Sequence, residues 1–290
     1  MKQDKTIGNR LFDIINNSLL LIVALACSLP FVYVVAVSFT SPAQVAQGGI
    51  ILFPKEWSLS AYRYIFSTDT LLRSMMVSIY ITVVGTFINL VFTSLMAYPL
   101  AKKHLRGRKT IMMGVLFTML FGGGLIPTYF VVKALNLTDT LWSLMIPTAI
   151  SAFNLIVLKN FFQQIPDGLE DSAKIDGCND LGVLIRIVLP LSLPAMATFG
   201  LFYAVGHWNQ FFNAILYIND NTKWPIQVLL REIVILASGR IGDTNIDDAE
   251  IQPLTIRMAV IVFATIPILV VYPFLQKHFA KGAMLGSVKG

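Results

Sequence analysis

Six apolar runs, each close to the length an α-helix needs to cross a bilayer, decide most of what this chain can become. They lie at about 14–39, 73–99, 110–132, 140–160, 192–218 and 256–276. A helix needs about 20 apolar residues to traverse the hydrocarbon core, and within lipid its backbone must satisfy its own hydrogen bonds. The composition agrees: 56% of the residues are hydrophobic and 13% charged, with mean hydropathy +0.70. The expected architecture is an all-α membrane protein with a six-span transmembrane domain over 14–276. A stretch at 1–13, a loop at 161–191, an outer loop at 219–255 and a tail at 277–290 complete it.

Six crossings put both termini on one side, and Lys and Arg choose which, because cytoplasmic loops retain them. Of the 22 Lys and Arg residues, fourteen share a side with the N-terminus and eight fall opposite. Both termini and 161–191 are therefore expected in the cytoplasm. The net charge of +6 reads as membrane-side charge, not as a nucleic-acid surface. Ala24-Leu25-Ala26-Cys27 imitates a lipoprotein cleavage site, but the apolar run continues to Phe39, so an uncleaved first helix is expected. Cys27 would lie in lipid and Cys178 in the cytoplasm, which gives neither a disulfide framework nor a metal cluster.

The polar content is uneven. Between the first two runs, turn formers accompany Trp57, Tyr62, Tyr64 and Phe66, a pattern for an interfacial helix near 58–67; a sugar-binding platform is the other reading. The third run is interrupted by Gly122-Gly123-Gly124 and Pro127, and irregular backbone at membrane depth is tolerated only against protein or a water-filled cavity. The fourth holds Trp142, Pro147 and Asn154. The fifth, FGLFYAVGHWNQFFNAILYI, is the most polar: Tyr203, His207 and Gln210 recur at i, i+4 and i+7, and Asn213 continues the face. Polar groups at membrane depth tend to face a bundle interior or an aqueous route, and sugars are held by aromatic faces with hydrogen-bonding amides. Tyr203, His207, Gln210, Asn213 and Asn154 are therefore the candidate substrate pathway. Capping or snorkelling of His207 at the outer helix end stands beside that reading.

One long polar interruption faces the cytoplasm: PDGLEDSAKIDGCNDLGVLIRIVLPLSLP, from Pro166 to Pro194. An acidic helix candidate at Asp167 to Lys174 meets a turn at Asp176-Gly177, and an apolar segment closes on Leu189-Pro190. The spacing D-S-A-x-x-D-G, with Pro190 thirteen residues after Gly177, resembles the EAA loop of bacterial ABC-importer permeases of the carbohydrate-uptake type, among them the second permease of the maltose importer. The resemblance implies the ABC type I importer permease fold and a coupling helix seated in a cleft of a separate ATPase subunit. It implies coupling roles for Glu170, Asp171, Ala173, Asp176, Gly177, Leu189 and Pro190. Asp171 stands where the family usually has Glu, and Glu170 competes with it for the ATPase contact. Gly177 permits the tight turn, and Cys178 replaces the commoner Ala. Leu189 and Pro190 are expected to open the next helix, where Pro suits the first turn.

The resemblance also implies that the outer loop reaches toward an extracellular or periplasmic solute-binding protein, with Trp224, Arg231, Arg240 and Asp243 as docking candidates, and that the VKG tail approaches the ATPase. Asp243, Asn245 and Asp247 imitate the start of a calcium loop, but Asp248 stands where Gly is needed and Leu254 where Glu is, so calcium is not expected.

The sequence has no G-x-x-x-x-G-K-[ST] phosphate loop, no G-x-S-x-G, no H-E-x-x-H and no C-x-x-C. This chain is expected to be non-catalytic, without a cofactor or metal of its own, with ATP and Mg on partner subunits. The implied partners are a second homologous permease, two ATP-binding cassette ATPase subunits, the binding protein, an oligosaccharide and the lipid bilayer of the bacterial cytoplasmic membrane, and no nucleic acid. Whether the sugar is neutral or acidic stays open. The alternative is a stand-alone secondary transporter or channel for a polar solute, which would need intramembrane charges; few are present, and Asp13, Arg73 and Arg257 stand at span edges.

Overall fold

The computed structural model describes residues 7–238 and 254–282. In order the helices are α1 (Ile7–Ser38), α2 (Pro42–Ala46), α3 (Ser60–Ser67), α4 (Asp69–Ala101), α5 (Arg108–Leu120), α6 (Leu125–Ala134), α7 (Ala152–Phe162), α8 (Asp167–Ile175), α9 (Asp180–Val183), α10 (Leu189–Leu191), α11 (Leu193–Trp208), α12 (Phe212–Tyr217), α13 (Ile226–Ser238) and α14 (Leu254–Gly282). The described residues contain no strand, only an isolated bridge between Thr40 and Trp57. Two compact units form, Met1–Asp69 with Leu230–Ile266 and Thr70–Leu229 with Pro267–Gly290.

In the first unit α1 is apolar from Leu11 to Ser38, with mean hydropathy 2.7, and most of its large side chains are exposed. A helix that is apolar all round suits lipid as its solvent. Its end is tied to the following segment: Tyr62 stacks on Phe39 with centroids 4.8 Å apart, and its hydroxyl lies 2.9 Å from Ser38 Oγ. A helix does form near 58–67, α3, and within this unit its Phe66 meets Phe263 of α14 edge to face.

In the second unit α4 is a single continuous helix. Among its buried residues a stripe is small or polar, with Ser74, Ser78, Gly85, Asn89, Thr93 and Ala97, residue types that let neighbouring backbones approach and hydrogen-bond within a membrane. Two apolar cores form in this unit. One joins the end of α4 (Ala97, Tyr98, Leu100) to α7 (Leu155, Leu158, Phe162), α8 (Ala173) and α11 (Phe199, Tyr203). The other gathers Ile81, Val132, Leu144, Met145, Tyr217 and Val228.

The apolar runs do not all become straight helices. Among the described residues three helices are individually long and apolar enough to span, and two bent pairs raise that to five if each is one span. The third run breaks between α5 and α6 with a 118° bend, where Gly124 adopts φ +85°. The fourth run, expected as a span over 140–160, is a 3₁₀ turn at Leu141–Leu144 followed by irregular backbone and then α7. Pro147 explains this, since it donates no backbone hydrogen bond and disfavours helix at the residue before it. The fifth run stops at Trp208 and restarts at Phe212. There Asn209 Nδ2 donates to the Val205 carbonyl at 2.9 Å, a side-chain bond that competes with helix continuation.

Candidate functional site

Within 166–194 the acidic helix and the turn at Asp176-Gly177 form where the polarity pattern predicts them. Helix α8 has Asp167 and Glu170 in its first turn and Lys174 in its last, the arrangement that a helix dipole favours. It ends in a Schellman motif: the Cys178 N–H donates to Ala173 O at 2.9 Å and the Gly177 N–H to Lys174 O at 3.0 Å. Gly177 supplies the left-handed residue this requires, with φ +87°. Asn179 caps the next helix by accepting from the Gly182 N–H, and Lys174 pairs with Asp180 at 2.8 Å across the turn. That hydrogen bond and charge hold the Asp180 carboxyl below the usual carboxylate range, with slight burial opposing.

The two competing carboxylates separate. Glu170 is 6% exposed; it forms an ion pair with Lys102 and accepts from the Tyr98 hydroxyl at 3.1 Å. Asp171, the next residue, is exposed, as are Asp176 and Gly177, while Ala173 is buried beneath them. Glu170 is therefore spent inside the chain, and the outward surface of α8 is left to Asp171.

Leu189 and Pro190 do not open the next helix. They close a helical segment that starts at Asp180, and the long helix begins at Leu193 after an 86° bend. Just before Pro190 the backbone winds as a π-helix over Leu184–Val188. A proline within a helix cannot donate to the carbonyl four residues back and its ring crowds that carbonyl; a local π turn is one way to make room.

Deeper in the same unit, the candidate pathway residues converge on one cavity of about 340 Å³ lined by Asn89, Thr148, Ser151, Asn154, Phe202, Tyr203, Gly206, His207, Gln210 and Asn213. All five sequence candidates are present, though not on one continuous helical face. Tyr203 and His207 lie on α11, Gln210 in the break beyond it, Asn213 on α12 and Asn154 on α7. His207 stands in the last turn of α11 but is buried, not an exposed cap: its Nε2 lies 2.7 Å from Asn89 Oδ1. Tyr203 Oη lies 2.8 Å from Thr93 Oγ1 and accepts from the Ser151 N–H at 3.2 Å. Gln210 donates to Leu144 O, and Asn89 Nδ2 donates to Thr148 O at 2.6 Å.

Sequence reasoning missed Asn89 and Thr93. A signal was present, since Gly85, Asn89, Thr93 and Ala97 recur every four residues along one face of α4. The close fit depends on Gly85: a Cβ there would lie 2.6 Å from His207 Nε2. The lining residues carry amide, hydroxyl, imidazole and aromatic groups and no lysine or arginine, chemistry suited to hydrogen-bonding a polyhydroxylated solute.

Of the outer-loop candidates, Trp224 is half-buried, packs on the second core and donates its indole N–H to Ile218 O at 3.1 Å. Arg231 is exposed on α13. Arg240 and Asp243 lie outside the described residues, as do the VKG tail and the calcium-like residues from Asn245 to Asp248. Beside Trp224, Asp139 accepts from the N–H groups of Asn219 and Asp220, and Lys223 bridges Asp139 and Asp220. The Asp220 N–H is the main reason the Asp139 carboxyl lies below its usual range; partial burial opposes it, and the Lys223 ammonium adds to the lowering.

The family described as "Binding-protein-dependent transport system inner membrane component" matches residues 72–284, which include the segment 166–194, the cavity and α14. The chain belongs to this family. The permease is 60% identical over 284 residues to the polygalacturonan/rhamnogalacturonan transport system permease protein YtcP of Bacillus subtilis (strain 168), covering 97% of this chain and 99% of that protein. It is 57% identical over 287 residues to protein LplC of the same organism, covering 98% and 97%. Among solved structures it matches a chain of a bacterial ABC transporter involved in the import of the acidic polysaccharide alginate. There the TM-score is 0.87 at 33% identity, over 96% of this chain and all of that one. A second alginate ABC transporter structure, in complex with an alginate pentasaccharide-bound periplasmic protein, matches with TM-score 0.59 at 14% identity, a likeness of fold alone. The chain thus has the type I ABC importer permease fold and is a membrane-embedded permease subunit of an ABC importer.

Proposed function

We propose that this permease forms half of the translocation pathway of an importer for an oligosaccharide, specifically one containing uronate residues. The observation that carries the substrate class is the 60% identity, over nearly the whole chain, to a polygalacturonan/rhamnogalacturonan permease; the alginate transporter points to the same acidic chemistry. The cavity on this subunit would meet sugar hydroxyls and ring faces through Tyr203, His207, Gln210, Asn213 and Asn154. Among the described residues its lining holds no lysine or arginine, so charge for the uronate carboxylates would come from outside this cavity wall.

In this reading the chain crosses the membrane six times with both termini cytoplasmic. The bent pairs count as one crossing each, and 141–162 forms the fourth. Buried Ser143, Leu144 and Met145 support that fourth crossing, since irregular backbone at membrane depth must lie against protein. Two ATPase subunits drive transport, one of them gripping the exposed face of α8 around Asp171, Asp176 and Gly177, and a solute-binding protein docks on the outer loops. Closure of the ATPases would move α8 and switch the cavity between outward and inward access.

The test is uptake of labelled oligogalacturonides and malto-oligosaccharides by cells with and without this chain. Loss of oligogalacturonide uptake alone is the expected result. Uptake blocked by neutral oligosaccharides and indifferent to uronates would overturn the substrate class, and unchanged uptake in the deletion strain would overturn the importer role.

A further inference from the structure

We propose that the Tyr98–Lys102–Glu170 cluster is the joint through which motion of the coupling helix enters the membrane, and that α4 is the rod that carries it to the cavity. The inference rests on the reading of α8 as the ATPase-docking helix.

Besides the short backward link through 163–166 to α7, two routes lead from α8 into the membrane within this unit, one forward along the chain and one across side chains. The covalent one runs through α9 and α10 to α11, and it is poorly built to transmit displacement. It contains the exposed Gly177 turn, a π-wound stretch at Leu184–Val188, Pro190 and an 86° bend, so no straight α-helical axis runs along it to carry a push. The second route crosses by side chains. Glu170 is buried against α4, ion-paired with Lys102 and bonded to Tyr98, and the Lys102 ammonium sits 4.5 Å from the Tyr98 ring centroid, a cation–π arrangement. Ala173, one turn further along α8, packs into the same core as Tyr98.

From Tyr98 back to Asp69 α4 is one continuous helix, with Pro99 in its last turn and Lys102 just past its end. Lys102 and Asn89 are thirteen residues apart, roughly 20 Å along a helix. Partway along α4, Thr93 and Asn89 hold Tyr203 and His207 at 2.8 and 2.7 Å. A helical stretch held by buried polar contacts at the joint and at the cavity moves as one body, so α8 cannot shift without disturbing either the Lys102–Glu170 pair or the cavity wall. Glu170 is then a positioning residue and not an ATPase contact.

The experiment uses the complete transporter in proteoliposomes with binding protein and ATP. It compares Glu170→Gln, Lys102→Met, Tyr98→Phe, the charge swap Lys102→Glu with Glu170→Lys, and Gly177→Trp as a docking control. Three quantities are read: ATPase subunit retained on the purified permease, ATP hydrolysed, and sugar delivered per ATP. The expected result is that Glu170→Gln and Lys102→Met retain the ATPase subunits while sugar per ATP falls about tenfold. Tyr98→Phe should lose less, and the swap should recover a large part of the loss, which a merely damaged fold would not. Loss of ATPase subunits in Glu170→Gln, or undiminished sugar per ATP in both single variants, would overturn the joint while the docking reading stands. If Gly177→Trp also left retention and transport untouched, α8 would not be the docking helix and both readings would fall.

Discussion

Replacing Gly85 with alanine tests the cavity wall at its tightest point. The new Cβ would stand 2.6, 2.7 and 2.9 Å from three atoms of the His207 ring, where ordinary contact begins at 3.4 Å, so the ring must retreat by roughly 0.8 Å. It is buried and held by Asn89 at 2.7 Å, and it lies against helix backbone, so retreat breaks that hydrogen bond. Overpacking costs about 1–3 kcal/mol, and stranding a buried polar group costs about 1–3 kcal/mol. With partial relaxation the total should be about 2–4 kcal/mol. The assay is unfolding of the purified permease in detergent, as a double-mutant cycle with His207→Ala. In the His207→Ala background the alanine has room, and its cost should fall below about 1 kcal/mol. An equal penalty in both backgrounds, or none in either, would refute the packing argument and with it the claim that α4 positions His207.

Other consequences can be checked alongside. Tyr203→Phe keeps the ring but removes the hydroxyl that meets Thr93 and the Ser151 N–H; it should destabilise the permease by about 1–2 kcal/mol in the same unfolding assay and slow uptake. At Gly177 a Cβ meets open space, and only the positive φ opposes it, so Gly177→Ala should cost about 1 kcal/mol of stability while Gly177→Trp abolishes uptake through the docking surface. In the loop between α6 and α7, Asp139 titrates below its usual range. A carboxyl depressed by folding adds stability that is present above its unfolded pKa and is lost as pH falls through the folded one, so the thermal midpoint should drop below pH about 4. Asp139→Asn should flatten that drop.

Much of this was legible in the sequence because lipid imposes a simple length rule and the coupling segment carries its own punctuation. Asp176-Gly177 ends α8 for a local reason, a Schellman turn, and local reasons can be read from residues. The straightness of the spans was less legible. Pro147 and Asn209 turn apolar runs into broken ones, and whether a break is tolerated depends on packing from distant segments. The division of labour between Glu170 and Asp171 was hidden for the same reason: it is decided by Lys102 and Tyr98, about 70 residues earlier, which no local pattern connects to α8. The cavity was half visible. Its α11 residues announced themselves as polar groups in an apolar run, whereas Asn89 and Thr93 sat within a stripe of small residues that also serves close helix packing.

The central claim is that this chain conducts sugar only as part of an ATP-driven assembly, and reconstitution tests it most directly. Proteoliposomes containing the permease alone should show no oligogalacturonide uptake under any proton or sodium gradient. Vesicles that also hold the second permease, the ATPase subunits and the binding protein should take it up when ATP is supplied. Gradient-driven uptake by the single chain would contradict the account.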